Sequence, residues 1–123
     1  MGQYTDIVEI VAPGSAVGGS TVNVEVRIKN LYGYAINATA TMGRVDGTVL
    51  RFGAVHKVIG AGQIVSWYDS FVMPAKVVTV SVESWYEGTD NIWHSDDRAE
   101  KQISLGQAIS EFGSIEILRY ERR

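Results

Sequence analysis

The stretch Gln63–Tyr86, QIVSWYDSFVMPAKVVTVSVESWY, decides the fold class. Two runs rich in β-branched and aromatic residues flank Met73-Pro74-Ala75-Lys76. Pro74 fixes its own φ near the value that the first central position of a tight turn needs. In the second run Val78, Val80 and Val82 alternate with Thr79, Ser81 and Glu83, which is the strand period of two. The stretch therefore reads as two antiparallel strands joined by a four-residue link, a hairpin at the centre of a β-sandwich. Trp67 shares its phase with Val65, Phe71 and Met73, which assigns it to the core.

Working outward, Ser20–Asn30 carries the cleanest alternation. Val22, Val24, Val26 and Ile28 fall on one face, and Asn23, Glu25, Arg27 and Lys29 on the other. One dry and one wet face describe an antiparallel sheet layered on a single core. Tyr4–Val11 reads as a first strand with apolar residues on both faces, followed by turns at Ala12–Ser15 and Gly18-Gly19. Asn30–Tyr34 forms a loop and Ala35–Gly43 a strand. Asp46-Gly47 is a hairpin signal that joins this strand to Thr48–Phe52. Val55–Ile59 is a short run before the Gly60-Ala61-Gly62 turn. Glu87–Asp97 (EGTDNIWHSDD) is the longest irregular segment, and Arg98–Leu105 the last regular strand. The expected architecture is all-β: an immunoglobulin-like antiparallel sandwich of about seven strands over residues 1–105. Residues 106–123 are left as a C-terminal extra strand or assembly arm.

Composition narrows the function classes. With 123 residues the chain is one domain, large enough to bury roughly 65% of its unfolded surface. There is no cysteine, so neither a disulfide nor a thiolate metal site is available. A net charge of −3 argues against a nucleic-acid partner, which demands a basic face. No apolar run approaches the roughly 20 residues of a membrane-spanning helix, and no signal-peptide pattern follows Met1.

Several features recur together. They are the early Pro-Gly…Gly, the strand V-x-V-x-V-x-I-x-N (Val22–Asn30), the Ala-Gly turn before an aromatic strand, F-x-M-P (Phe71–Pro74), and Asp96-Asp97 before the last strand. In this combination, over about residues 8–105, the chain resembles the bacterial cell-adhesion-related (CARDB-like) domains, which are close in shape to fibronectin type III modules. The resemblance implies a non-catalytic spacer or binding module of a surface protein. The tail from Gly106 to Arg123 extends beyond that pattern and points away from a purely spacer role.

Little catalytic chemistry is visible. His56 and His94 are too few for a histidine metal cluster, and Ser84 or Ser95 beside His94 is a chance pairing, not a triad. Gly60-Ala61-Gly62 opens no helix, so it is a turn and not a phosphate cradle. Asp90, Asp96 and Asp97 make the Glu87–Asp97 loop oxygen-rich, a calcium candidate without EF-hand spacing. Neither a cofactor nor a structural metal is expected. Aromatic residues offer more. Tyr32, Tyr34, Trp85, Tyr86, Trp93 and His94, with His56, are expected on one rim, where tyrosine and tryptophan present large contact area at low entropic cost, the other reading being that Trp85 or Trp93 plugs the end of the core.

The expected function is non-enzymatic: a structural, assembly or protein-interaction module of a surface structure, appendage or virion. The tail residues Ile115, Ile117, Leu118 and Tyr120 are candidates for self-association by strand addition. The alternative is a carbohydrate-binding sandwich that uses the aromatic-acidic rim, with calcium.

Overall fold

The computed structural model describes residues 1–45, 49–52 and 55–106, and among these it is all-β. Nine strands form two sheets. They are β1 (Thr5–Val11), β2 (Ser15–Val17), β3 (Thr21–Asn30), β4 (Ile36–Val45), β5 (Val49–Phe52), β6 (Lys57–Ile59), β7 (Ile64–Val72), β8 (Val78–Glu87) and β9 (Trp93–Gly106). The smaller sheet has the order β1-β3-β7, and the larger the order β2-β9-β8-β4-β5, with β6 also on β4. All pairs are antiparallel except β2 with β9, which is parallel. Tail residues Ile115, Ile117, Leu118 and Tyr120 and the turn at Asp46-Gly47 lie outside the described residues.

The alternating residues build the core. Val22, Val24, Val26 and Ile28 of β3 and Val78, Val80 and Val82 of β8 are almost wholly buried. With Ala38, Ala40, Met42, Trp67, Met73 and Ile103 they form one apolar cluster shared by both sheets, so the arrangement is sandwich-like. Strand β1 reaches that core through a register shift between Ile7 and Glu9. Val8 is extruded and exposed, and Ile10 rather than Glu9 lies opposite Val26. A bulge of this kind adds one residue and reverses the phase of the residues after it. That is why the sequence of β1 shows apolar residues on both faces.

Two sequence expectations are corrected. First, Gln63–Tyr86 is not a hairpin. β7 pairs with β3 while β8 pairs with β4 and β9, so residues 73–77 carry the chain from one sheet to the other. The main-chain groups of Met73 are committed elsewhere: its carbonyl accepts from Gly19 N–H at 2.7 Å and its N–H donates to Ser20 O at 2.8 Å. The side chain of Met73 is buried, and from this anchor the link, exposed at residues 75–77, passes to the other sheet. Second, the irregular segment Glu87–Asp97 shrinks to a turn over residues 88–92. Residues 93–97 belong to β9, which is one long strand of 14 residues.

Strand β7 lies at the edge of the smaller sheet, and contacts from Lys57 and Val55 blunt it. The ammonium of Lys57 donates to Ser66 O at 2.6 Å and stands 5.3 Å from the Trp67 ring centroid, while the Trp67 indole N–H donates to Val55 O. Lysine at an edge strand opposes pairing with another chain.

A candidate binding site at the tyrosine-lined end

One end of the molecule is held by a buried asparagine. Asn30, the last residue of β3, is fully buried, and its amide donates to Tyr34 O (2.8 Å) and Ile59 O (3.0 Å). Its side-chain oxygen accepts from Tyr32 N–H at 2.7 Å. Its main chain is used as well: its N–H donates to Gln63 O, and its carbonyl accepts from Gly62 N–H. Gly62 has a φ of 72°, a left-handed conformation that glycine adopts without strain. A buried amide whose donors and oxygen are all engaged is rigid, so the loop presenting Tyr32 and Tyr34 is fixed in shape.

The facing wall is held by carboxylates. Glu83 pairs with Arg98 and Trp85 with Ser95, so Ser84 alone lies opposite the two residues Asp96 and Asp97. This bulge aims both aspartates at the start of the chain. Asp96 Oδ1 accepts from Gln3 N–H at 2.8 Å. Asp96 Oδ2 accepts from Tyr4 N–H (3.0 Å), Thr5 N–H (2.6 Å) and the Thr5 hydroxyl (2.6 Å). Asp97 Oδ2 accepts from Ile7 N–H at 2.9 Å, and Oδ1 lies 3.2 Å from the Met1 amino group. Burial acts to raise the Asp97 pKa, but the donors from Ile7, Arg98 and the amino group outweigh it and hold the carboxyl below its ordinary value.

Between these walls the rings touch in series. Tyr34 meets Tyr32 (centroids 5.6 Å apart), Tyr32 meets Tyr4 edge-on (5.3 Å), and Tyr4 meets Tyr86 edge-on (4.7 Å). Tyr86 stacks on His94 at 5.3 Å with an interplanar angle of 26°. Offset and edge-on arrangements at these distances are the favourable ones for aromatic pairs. Tyr86 and His94 are cross-strand partners in the β8–β9 hairpin, whose turn is closed by Gly88 N–H to Ile92 O at 3.0 Å. Asp90 accepts from Ile92 N–H (3.0 Å), and its carboxylate lies 3.0 Å from His94 Nε2. A Cβ on Gly88 would stand 2.6 Å from Asp90 Oδ1, so the close approach of this carboxylate requires glycine there.

The result is a groove of about 500 Å³ lined by Tyr4, Tyr32, Asn37, Tyr86, Asp90 and His94, with Glu87 beside them. Glu87 Oε1 accepts from the Asn37 amide at 3.1 Å. Tyr32 is 45% exposed and Tyr34 is 72% exposed.

The expected rim therefore divides. Tyr32, Tyr34, Tyr86 and His94 come together as read from the sequence, whereas Trp85, Trp93 and His56 do not line the groove. Trp85 alternates with the buried residues of β8, and its indole N–H donates to Thr41 Oγ1 at 3.1 Å. Trp93 lies beside His56, with centroids 6.2 Å apart. Of the calcium candidates, Asp96 and Asp97 spend their oxygens on main-chain donors, while Asp90 stands apart from them beside Ile92 N–H and His94. Among the described residues no group of three or more acidic or histidine side chains is arranged to hold a metal ion. Neither serine sits against His94: Ser84 is buried against Thr5 Oγ1 (2.7 Å), and the Ser95 hydroxyl donates to Glu83 Oε2 (2.7 Å). Sequence reasoning missed Tyr4, which reads as an ordinary strand residue, and gave Asn30 no role beyond a motif position.

No family model matches the chain, and no curated protein matches it. Solved structures do. The sporulation control protein Spo0M of Bacillus subtilis aligns at TM-score 0.47 and 13% identity, covering 84% of this chain and 50% of that one. The alkylpurine DNA glycosylase AlkC of Pseudomonas fluorescens, bound to DNA with an abasic site analog, aligns at TM-score 0.54 and 12% identity, covering 82% and 30%. A β-glucosidase of Listeria innocua in complex with glucose aligns at TM-score 0.51 and 12% identity, covering 84% and 16%. The chain spans half or less of each of these proteins, and likeness at such identity concerns the fold alone.

Proposed function

We propose that this chain is a non-catalytic, immunoglobulin-like interaction module that docks a protein partner at its tyrosine-lined end. The strand order supports the immunoglobulin-like reading, because β1, β3 and β7 lie in one sheet and β4, β8 and β9 in the other, with β3–β4 and β7–β8 crossing between sheets. It agrees with the resemblance to bacterial cell-adhesion-related domains. One observation carries the docking assignment: the unbroken ring series Tyr34–Tyr32–Tyr4–Tyr86–His94, exposed at its outer end and fixed from behind by Asn30. Rigid aromatic side chains with polar tips are the anchors that interfaces use, because little freedom is lost when they are covered.

The test is selection of binders from a random-peptide display library, followed by alanine substitution. The double variant Tyr32→Ala/Tyr34→Ala is expected to lose binding of the selected peptides. Tyr68→Ala removes a tyrosine of similar exposure, 70%, from the outer face of the smaller sheet and is expected to leave binding unchanged. Equal loss in both variants contradicts the assignment. A glycan array read with the same variants separates the carbohydrate alternative, for which binding of a neutral oligosaccharide lost only in Tyr32→Ala/Tyr34→Ala is the required result.

A further inference from the structure

We infer that the groove at the tyrosine-lined end receives a cationic side chain, arginine or lysine, from the docking partner; this rests on the reading of that end as a docking surface. The groove is one-sided in its charge chemistry. Among the described residues, three tyrosine rings (Tyr4, Tyr32, Tyr86), two carboxylates (Glu87, Asp90) and His94, paired with Asp90, line it, and no lysine or arginine does. Two of the chain's cations are engaged elsewhere: Arg27 with Glu9 and Glu25 on the smaller sheet, and Lys57 at the β7 edge. Asp90 is held below the ordinary carboxylate range by Ile92 N–H and then by His94, so it carries its charge at neutral pH. The phenol of Tyr86 is pushed up, first by burial and then by Tyr4, Asp96 and Asp90.

A cation placed here is attracted both by ring faces and by carboxylates. An acidic side chain meets two like charges, and a neutral ligand gains only the rings. Arginine suits the site best, because its planar guanidinium stacks on tyrosine while its fork of N–H donors reaches a carboxylate.

The experiment uses an arginine-containing peptide and the same peptide with citrulline, whose ureido group keeps the shape and removes the charge. Each is titrated into the ¹⁵N-labelled chain and followed by amide chemical shifts. The expected result is saturable shifts at Tyr32, Tyr86, Asp90 and His94 with the arginine peptide, and about tenfold weaker binding with citrulline. Glu87→Gln/Asp90→Asn is expected to weaken arginine binding, whereas Glu9→Gln/Glu100→Gln, with the same change in net charge, is not. Asparagine at 90 keeps an oxygen for Ile92 N–H, so the turn is preserved. Equal affinity for citrulline at the same residues overturns the cation assignment and leaves the docking surface standing. Shifts confined to other faces overturn both. Equal weakening by the two double variants overturns the assignment as well, since net charge alone would then account for binding.

Discussion

Thr5 and Asp96, 91 residues apart in the chain, are joined twice: both the N–H and the hydroxyl of Thr5 donate to the same carboxylate oxygen at 2.6 Å. The bonding continues through two hydroxyls. Asp97 N–H donates to Ser84 Oγ at 2.9 Å, and Ser84 Oγ lies 2.7 Å from Thr5 Oγ1, whose proton goes to Asp96. This buried relay fastens the first strand to the β9 bulge and sets Tyr4 among its neighbouring rings.

Asp96→Ala removes the acceptor for three main-chain donors and one hydroxyl. The expected cost is about 2–4 kcal/mol of unfolding free energy, read as a lower denaturant midpoint with an unchanged slope. A loss under about 0.5 kcal/mol would show that the bulge does not hold the strand.

Acid sensitivity comes from Asp97, whose side chain is only 10% exposed. Its folded-state pKa lies below the unfolded value of about 3.9. Its contribution is therefore fully present above the unfolded pKa and is lost as pH falls through the folded pKa. Melting temperature is expected to fall on acidification below about pH 4, and Asp97→Asn is expected to flatten that fall. Parallel pH profiles for the two proteins contradict this.

Asn30→Ala leaves two carbonyls and one N–H without their partner. A cost of about 2–4 kcal/mol is expected, with broadened amide resonances confined to residues 31–35 and 59–63. Unchanged resonances there would mean that the loop does not depend on Asn30.

Much of the fold was legible because burial on one side of a sheet writes itself as alternation. Val22–Ile28 and Val78–Val82 showed their inward faces directly. Which strands pair was not legible, because the Met73–Lys76 link has the length and proline of a hairpin, and only the tertiary bonds of Met73 to Gly19 and Ser20 mark it as a passage between sheets. The two bulges were hidden for a similar reason. Extruding Val8, or opposing Ser84 to Asp96 and Asp97, breaks the period of two that sequence reading relies on. At the site, Tyr32, Tyr34, Tyr86 and His94 could be grouped from their loop positions. Trp85 and Trp93 could not be separated from them without the alternation of β8, and Asp96 and Asp97 resembled a solvated acidic loop until their main-chain donors were located.

Val80→Asp tests the core itself. Val80 is wholly buried in β8 and belongs to the apolar cluster. A carboxylate taken out of water into that cluster is expected to abolish cooperative folding. A soluble variant with a sharp melt would place β8 in the wrong phase.

Where a partner lands on the molecule decides whether the tyrosine-lined end is a docking surface. Amide hydrogen exchange of the chain, free and saturated with a library-selected peptide, measures this without any substitution. Slowed exchange is predicted at residues 31–37 and 86–94, with the outer face of β3 and β7 unchanged. Protection on that outer face, with residues 31–37 and 86–94 unaffected, would contradict it.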